Sequence, residues 1–134
     1  MGTKNRIFLG VITSIILHHI RNIFKDSKDI YITKRKYNLI KTKHPDIIHY
    51  IDDKNFQIIL DNTVATCKYK KDESIYNFIS KVDNRYILYS LSSNNYYTHI
   101  STVFYTRTRE LKVCKDSIVF FNKKEKEAFE KLFN

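Results

Sequence analysis

The sequence predicts an α+β fold, with N-terminal helices packed on a curved antiparallel sheet of four or five strands and one helix at the C-terminal end. Three observations carry this expectation. Apolar residues recur at helical spacing up to about residue 60, then give way to β-branched and aromatic runs with turn residues at intervals of about ten. Helical runs come first and strands afterwards, the order of an α+β domain rather than of alternating βαβ units. Glycine and proline number only two and one in 134 residues, which disfavours a loop-built fold.

The elements follow in chain order. Ile7–Leu17 holds about eleven mostly apolar residues, against roughly 20 needed to span a bilayer, and runs into His18, His19 and Arg21. No small-residue cleavage site follows, so neither an anchor nor a secretory signal is expected. Thr13 or Ser14 suits the N-cap of an amphipathic helix to about Phe24, with Ile16, Leu17, Ile20, Ile23 and Phe24 as its apolar stripe. His18 and His19 are adjacent, point in different directions, and read as surface or core-edge residues. Ile30-Tyr31-Ile32 is a short strand, and Thr33 can cap the basic helix that follows. Pro45 suits the first position of a further helix with Ile47, Ile48 and Ile51 inward. His49, five residues past His44, cannot share its face. Phe56–Leu60 is a third short helix.

Strands are expected at Val64–Lys68, Ile75–Val82, Tyr86–Leu91 and Tyr96–Tyr105, with Ser117–Phe121 as a fifth. Their links are the charged turn Lys70–Glu73, the pair Asp83-Asn84 and the polar run Ser92–Asn95. Asn122 caps the last helix with Glu125 at capping-box distance, and Phe129, Leu132 and Phe133 point inward. The expected core includes Ile16, Ile20, Phe24, Ile40, Ile51, Ile79, Ile87 and Phe129.

At 134 residues the chain is read as a single domain, 1–134. Apolar residues make up 43%, with ten Tyr and nine Phe, enough to drive folding. No GxGxxG or GxxxxGK[ST] phosphate loop exists. The net charge is +10, from 24 Lys and Arg against 14 Asp and Glu. That excess calls for a polyanionic partner such as nucleic acid or an anionic membrane, although a base-composition bias toward Lys, Asn and Ile produces the same count. Cys67 and Cys114 form no CxxC pair, and no Cys/His cluster has zinc spacing. A reduced, metal-free and cofactor-free protein of the cytoplasm is the expectation.

The stretch Lys34–Pro45 carries the most chemistry. It holds Lys34, Arg35, Lys36, Lys41 and Lys43, no acid, and ends in His44 and the lone proline. As a helix it places His44 beside Ile40 and Lys41 at the last turn. A cation stabilises a pentavalent phosphorane, and a neutral imidazole exchanges a proton near pH 7. A solvated basic helix that happens to end at His-Pro fits the same residues.

In order and in short motifs the chain resembles the phage barnase–EndoU–colicin–RelE-like (BECR) nuclease family. The family's opening Leu-Gly-x-Ile helix is similar to Leu9-Gly10-Val11-Ile12, its next strand to Ile30-Tyr31-Ile32-Thr33, and its Lys-His-Pro helix end to Lys43-His44-Pro45. The segment before the sheet resembles Ile58–Asn62, the strand pair Phe78–Ile87, and the late strand Ser101–Leu111. The resemblance implies metal-independent endoribonuclease action by a toxin or phage effector, with ribose 2′-hydroxyl attack giving a 2′,3′-cyclic phosphate. It implies RNA as partner, together with a cognate antitoxin or immunity protein. The compartment is the cytoplasm of a bacterial or host cell, and no membrane is involved.

By this resemblance His44 is the general acid/base, with Lys41 or Lys43 countering phosphate charge. Ser101 or Thr102 and Arg107 bind the transferring phosphate, and Tyr31, Tyr97 and Tyr105 stack bases. His99 is the reserve acid, sharing a strand face with Ser101. The family's second histidine, one turn before His-Pro, is missing: that region reads Tyr37-Asn38-Leu39. Two other readings therefore stand beside the nuclease, a non-catalytic RNA-binding protein of the same fold and a phage structural or interaction protein. Residue by residue, strand hydroxyls ordinarily bond backbone, tyrosines fill cores, and Arg107 and Arg109 fit one solvated strand face.

Overall fold

Residues 6–11 begin the fold as a strand, not as the opening helix that the family resemblance implies. A computed structural model of the chain describes residues 5–20, 28–67, 75–93 and 97–133. Strand β1 (Arg6–Val11) leads to helix α1 (Ser14–Ile20), strand β2 (Asp29–Thr33) and the basic helix α2 (Lys34–Lys43). Pro45–Tyr50 is a 3₁₀ turn where the sequence predicts a regular helix, and α3 (Phe56–Asp61) comes after it. Four strands come next: β3 (Thr63–Cys67), β4 (Ile75–Val82), β5 (Arg85–Ser93) and β6 (Thr98–Tyr105). Helix α4 (Thr108–Cys114), strand β7 (Val119–Phe120) and helix α5 (Lys123–Glu130) complete the order. The continuation of α1 to Phe24 and the turn Lys70–Glu73 lie outside the described residues, as does the side chain of Ile20.

Among the described residues the sheet has seven strands in the order β1-β2-β6-β5-β4-β3-β7, more than the four or five expected. Neighbours are antiparallel except β2 and β6, which run parallel, so the sheet is mixed. The additions are at the edges. β1 pairs with β2 along Arg6–Val11, and the two-residue β7 pairs with Ala65 and Thr66. The β4–β5 hairpin turns at Asp83 and Asn84 with φ of 51° and 62°. Left-handed backbone at both central residues is the turn whose twist matches the flanking strands, and Asp and Asn tolerate it best after glycine.

Strand alternation buries both faces. On one, Leu9, Ile30, Ile32, Phe78, Ile87, Tyr89, Ile100 and Val103 meet Ile16, Ile40, Ile47, Ile51, Phe56 and Ile59 from the N-terminal helices. On the other, Ala65, Cys67, Ile79, Tyr86, Leu88 and Phe104 meet Leu111 and Cys114 of α4 and Phe129 of α5. The tyrosine hydroxyl of Tyr89, fully buried, meets Thr63 Oγ1 at 2.7 Å, which satisfies a donor that burial would otherwise orphan. Leu132, expected inward, is 56% exposed, because the chain has left its helix by then for a terminal 3₁₀ turn. Phe133 in that turn still packs on Phe129.

Two local features set the basic helix and the edge strand in place. Thr33 Oγ1 accepts the Lys36 N–H at 3.1 Å and starts α2 directly at the end of β2. Gly10 lets α3 close on β1: a Cβ there would sit 2.6 Å from Gln57 Oε1. The Gln57 amide instead occupies the strand edge, accepting from Val11 N–H at 2.8 Å and donating to Val11 O at 3.0 Å. Among the described residues no helix is long and apolar enough to cross a membrane.

Candidate functional site

A cleft of about 590 Å³ opens between α2 and α4, floored by the sheet face that carries Phe104. Lys36, Leu39 and Lys43 come to it from α2, His44 from the helix end, and Arg107, Arg109, Glu110 and Val113 from α4 and the residue before it. Asn77, Ser90, Ser101 and Thr102 form its polar floor.

His44 is delivered by the way α2 stops. Its N–H donates to Ile40 O at 2.6 Å, closing the last turn, and Pro45 cannot extend the helix. The half-buried imidazole stacks on Phe104, with ring centroids 5.4 Å apart and planes 24° apart. Among the described residues no hydrogen-bond partner occupies the ring nitrogens, so both are open to a ligand.

The floor owes its hydroxyls to a β-bulge. Ser90 pairs with Thr102 and Leu91 with Ile100, which leaves Ser101 as an extra residue on β6. Consecutive residues in a regular strand face opposite ways, yet here Ser101 and Thr102 both line the cleft. Ser101 Oγ donates to Ser92 Oγ at 2.8 Å, and Ser90 Oγ to Asn77 Oδ1 at 2.5 Å.

The cationic wall is built on Glu110. Arg107 and Arg109, for which a solvated strand face is the alternative reading, follow the strand end at Tyr105 and belong to the start of α4, with Arg107 as its N-cap. Glu110 Oε1 accepts from Arg107 N–H at 3.2 Å and from Arg107 Nε at 3.1 Å, and Oε2 lies 3.7 Å from Arg109 Nε. Burial alone would raise the Glu110 carboxyl. The bonds from Arg107 outweigh it and hold the group below the usual carboxylate range. The buried carboxylate thus stays charged and anchors Arg107 by its Nε, while both guanidiniums remain largely exposed.

Of the residues singled out from sequence, the structure brings His44, Lys43, Ser101, Thr102 and Arg107 to this cleft. Lys41 is exposed on another side of α2 and does not line it. Tyr105 lies elsewhere, with the Arg85 guanidinium 3.5 Å over its ring. Tyr31, Tyr97 and His99 gather around Arg6 further along the sheet. Burial and the Arg6 charge both push the His99 imidazole below its ordinary pKa. Sequence reasoning missed Glu110, Arg109, Phe104, Asn77 and Ser90. Glu110 three residues past Arg107, with Leu111 and Cys114 three apart, was a faint sign of a helix that the strand-like alternation of Thr106–Arg109 hid; a polar residue inside an apolar strand was the only sign of Asn77 and Ser90.

Comparison with known proteins gives no match: no protein-family model matches the sequence, no curated protein does, and no solved structure matches the fold.

Proposed function

We propose that the cleft binds an RNA phosphodiester and that the protein is a metal-independent endoribonuclease of the BECR type, a toxin or phage effector. One observation carries the reading: His44, Lys43, Ser101, Thr102 and Arg107, from three separate stretches of chain, line one cleft of phosphodiester-accommodating size. A surface whose basicity was only compositional has no reason to gather an imidazole, two cations and paired hydroxyls. The family part of this reading rests on the sequence resemblance at Lys43-His44-Pro45 and Ser101–Leu111, from which the opening strand β1 departs.

In the reaction, His44 takes the proton of the ribose 2′-hydroxyl as that oxygen attacks phosphorus. Lys43 and Arg107 offset the charge gathering on the phosphoryl oxygens, and Ser101 and Thr102 donate to them. The P–O5′ bond breaks, the leaving oxygen takes a proton from solvent, and the products are a 2′,3′-cyclic phosphate and a 5′-hydroxyl. Glu110 is the one carboxylate lining the cleft among the described residues, and its lowered pKa suits holding Arg107 rather than accepting a proton near neutrality. One proton-transfer group instead of two implies a slow enzyme, since each contributes on the order of 10²–10⁴ in rate.

The single imidazole in the cleft also favours a second reading, a non-catalytic RNA-binding protein of the same fold. Incubating total RNA with the protein in EDTA separates the two. Wild type should cleave, and His44→Ala should stay folded, bind RNA and be nearly inactive. Binding without cleavage by wild type leaves the second reading; no salt-sensitive binding at all retires both.

A further inference from the structure

The face of the sheet that floors the cleft does not end there. β6 continues it two residues back from Ser101 to His99, about 7 Å along the strand, and β2 carries it across to Tyr31, the register partner of His99. Phe8, paired with Tyr31, carries it to the edge strand β1. Its side chains are rings: Tyr31 lies edge-on to Phe8 and to Tyr97 at 5.9 Å each, Tyr97 meets His99 at 5.8 Å, and Phe8 is 39% exposed.

Arg6 lies among them. Its guanidinium carbon is 3.3 Å from the Tyr97 ring centre and 4.4 Å from that of Tyr31. No carboxylate among the described residues pairs with it, and Nε and Nη1 have no hydrogen-bond acceptor. Cation–π contact steadies the charge but leaves those donors unmet. Flat rings around a guanidinium that has no carboxylate partner among the described residues suit an unstacked nucleobase and its phosphate: each base has a π-face, and although Nε and Nη1 are buried, the guanidinium charge attracts the phosphodiester.

We propose that Arg6, Phe8, Tyr31 and Tyr97 form a second nucleotide subsite for the residue adjoining the one in the cleft, so that the substrate is single-stranded RNA. The inference rests on the reading of the cleft as an RNA site and extends it in two ways. It sets a minimum length of two nucleotides, and it requires a base free of pairing, because a base within a duplex cannot lie on the rings.

The test is fluorescence anisotropy with a 2′-O-methyl hexanucleotide, which cannot be cleaved, its abasic counterpart and the same hexanucleotide in a duplex. Tyr31→Leu keeps the apolar bulk and should weaken the intact strand on the order of five- to a hundredfold while leaving the abasic strand unchanged. Arg6→Met should weaken both strands and lower the salt slope by about one contact. Thermal melting confirms that each variant is folded, and Arg107→Ala serves as the cleft control. The subsite is refuted if Tyr31→Leu and Arg6→Met bind the intact strand as wild type does while Arg107→Ala does not, or if the duplex binds as well as the single strand. The rings then serve a different kind of partner. Wild type binding neither strand removes the cleft reading and the subsite with it. Binding that depends on Tyr31 in a protein that never cleaves unmodified RNA leaves the subsite standing and removes only the nuclease.

Discussion

Glu110→Ala is the perturbation whose size the structure lets one work out. The substitution removes the acceptor of the Arg107 N–H at 3.2 Å, which is the helix cap, and the contacts to Arg107 Nε and Arg109 Nε at 3.1 and 3.7 Å. The guanidinium partners are 70% and 77% exposed, so their ion pairs contribute at most about 1 kcal/mol together. The lost cap costs about 0.5–2 kcal/mol and is the same bond as the amide contact, so it counts once. The total is about 0.5–3 kcal/mol, a fall in Tm of about 2–12 °C for a chain of this length. Glu110→Gln keeps an oxygen for the Arg107 N–H and should lose less than half as much. The carboxyl is held below its ordinary pKa in the folded state, so its contribution is present above the unfolded value. It is lost as pH falls through the folded value, so wild type and Glu110→Gln should converge in acid. Circular dichroism melts at two pH values read all of this. A melting point for Glu110→Ala within about 1 °C of wild type, or equal losses for Ala and Gln, would refute the argument that the cap outweighs the ion pairs.

Three further outcomes rest on the same geometry. His99 is held neutral by burial and by Arg6, so its folded pKa lies below the unfolded value of about 6.5. Stability should therefore decline as pH falls from about 6.5 toward that lower value, and His99→Gln should flatten the slope in urea titrations. Asn84 has φ of 62°, so Asn84→Val should lower stability by about 1–2 kcal/mol while Asn84→Gly is neutral or stabilising, as thermal melts would show. Cys67 and Cys114 are buried against each other, and the Cys114 contact together with burial pushes the Cys67 thiol up. Iodoacetamide should label Cys67 in the native protein far more slowly than in urea, by mass spectrometry.

What could be read from the sequence depended on the strength of local signals. The β4–β5 hairpin was legible because Asp83-Asn84 is a turn signal flanked by strand formers, and α5 because Asn122 caps it, accepting the Glu125 N–H at 2.8 Å. Glu125 completes no reciprocal box, since its carboxylate goes to Lys81 Nζ at 3.6 Å. The edge strand β1 was not legible. Arg6–Val11 reads as an apolar run that period alone cannot assign, and its pairing with β2 is settled by tertiary packing against α3 through Gly10 and Gln57. Helix α4 was hidden because Thr106–Arg109 alternates like a strand, while the Glu110 cap that starts the helix lies just beyond.

The site was legible in part for the same reason. His44 and Lys43 stand at a helix end marked by proline, and Arg107 comes after a recognisable strand. The gathering of Ser101 with Thr102 depends on a bulge that no residue type announces. The base-stacking role of Tyr31, Tyr97 and Tyr105 comes from the resemblance; strand order sets Tyr31 apart from the cleft, since β2 lies on the far side of β6 from the Asn77–Ser90 floor.

The central claim is 2′-hydroxyl attack assisted by His44. The most direct measurement uses a DNA strand carrying one ribonucleotide, incubated with the protein in EDTA. The account predicts a single cut on the 3′ side of that ribose, ending in a 2′,3′-cyclic phosphate, and none with a 2′-O-methyl ribose there or with His44→Ala. A cut at deoxyribose positions, a product without the cyclic phosphate, or equal cleavage by His44→Ala would contradict it.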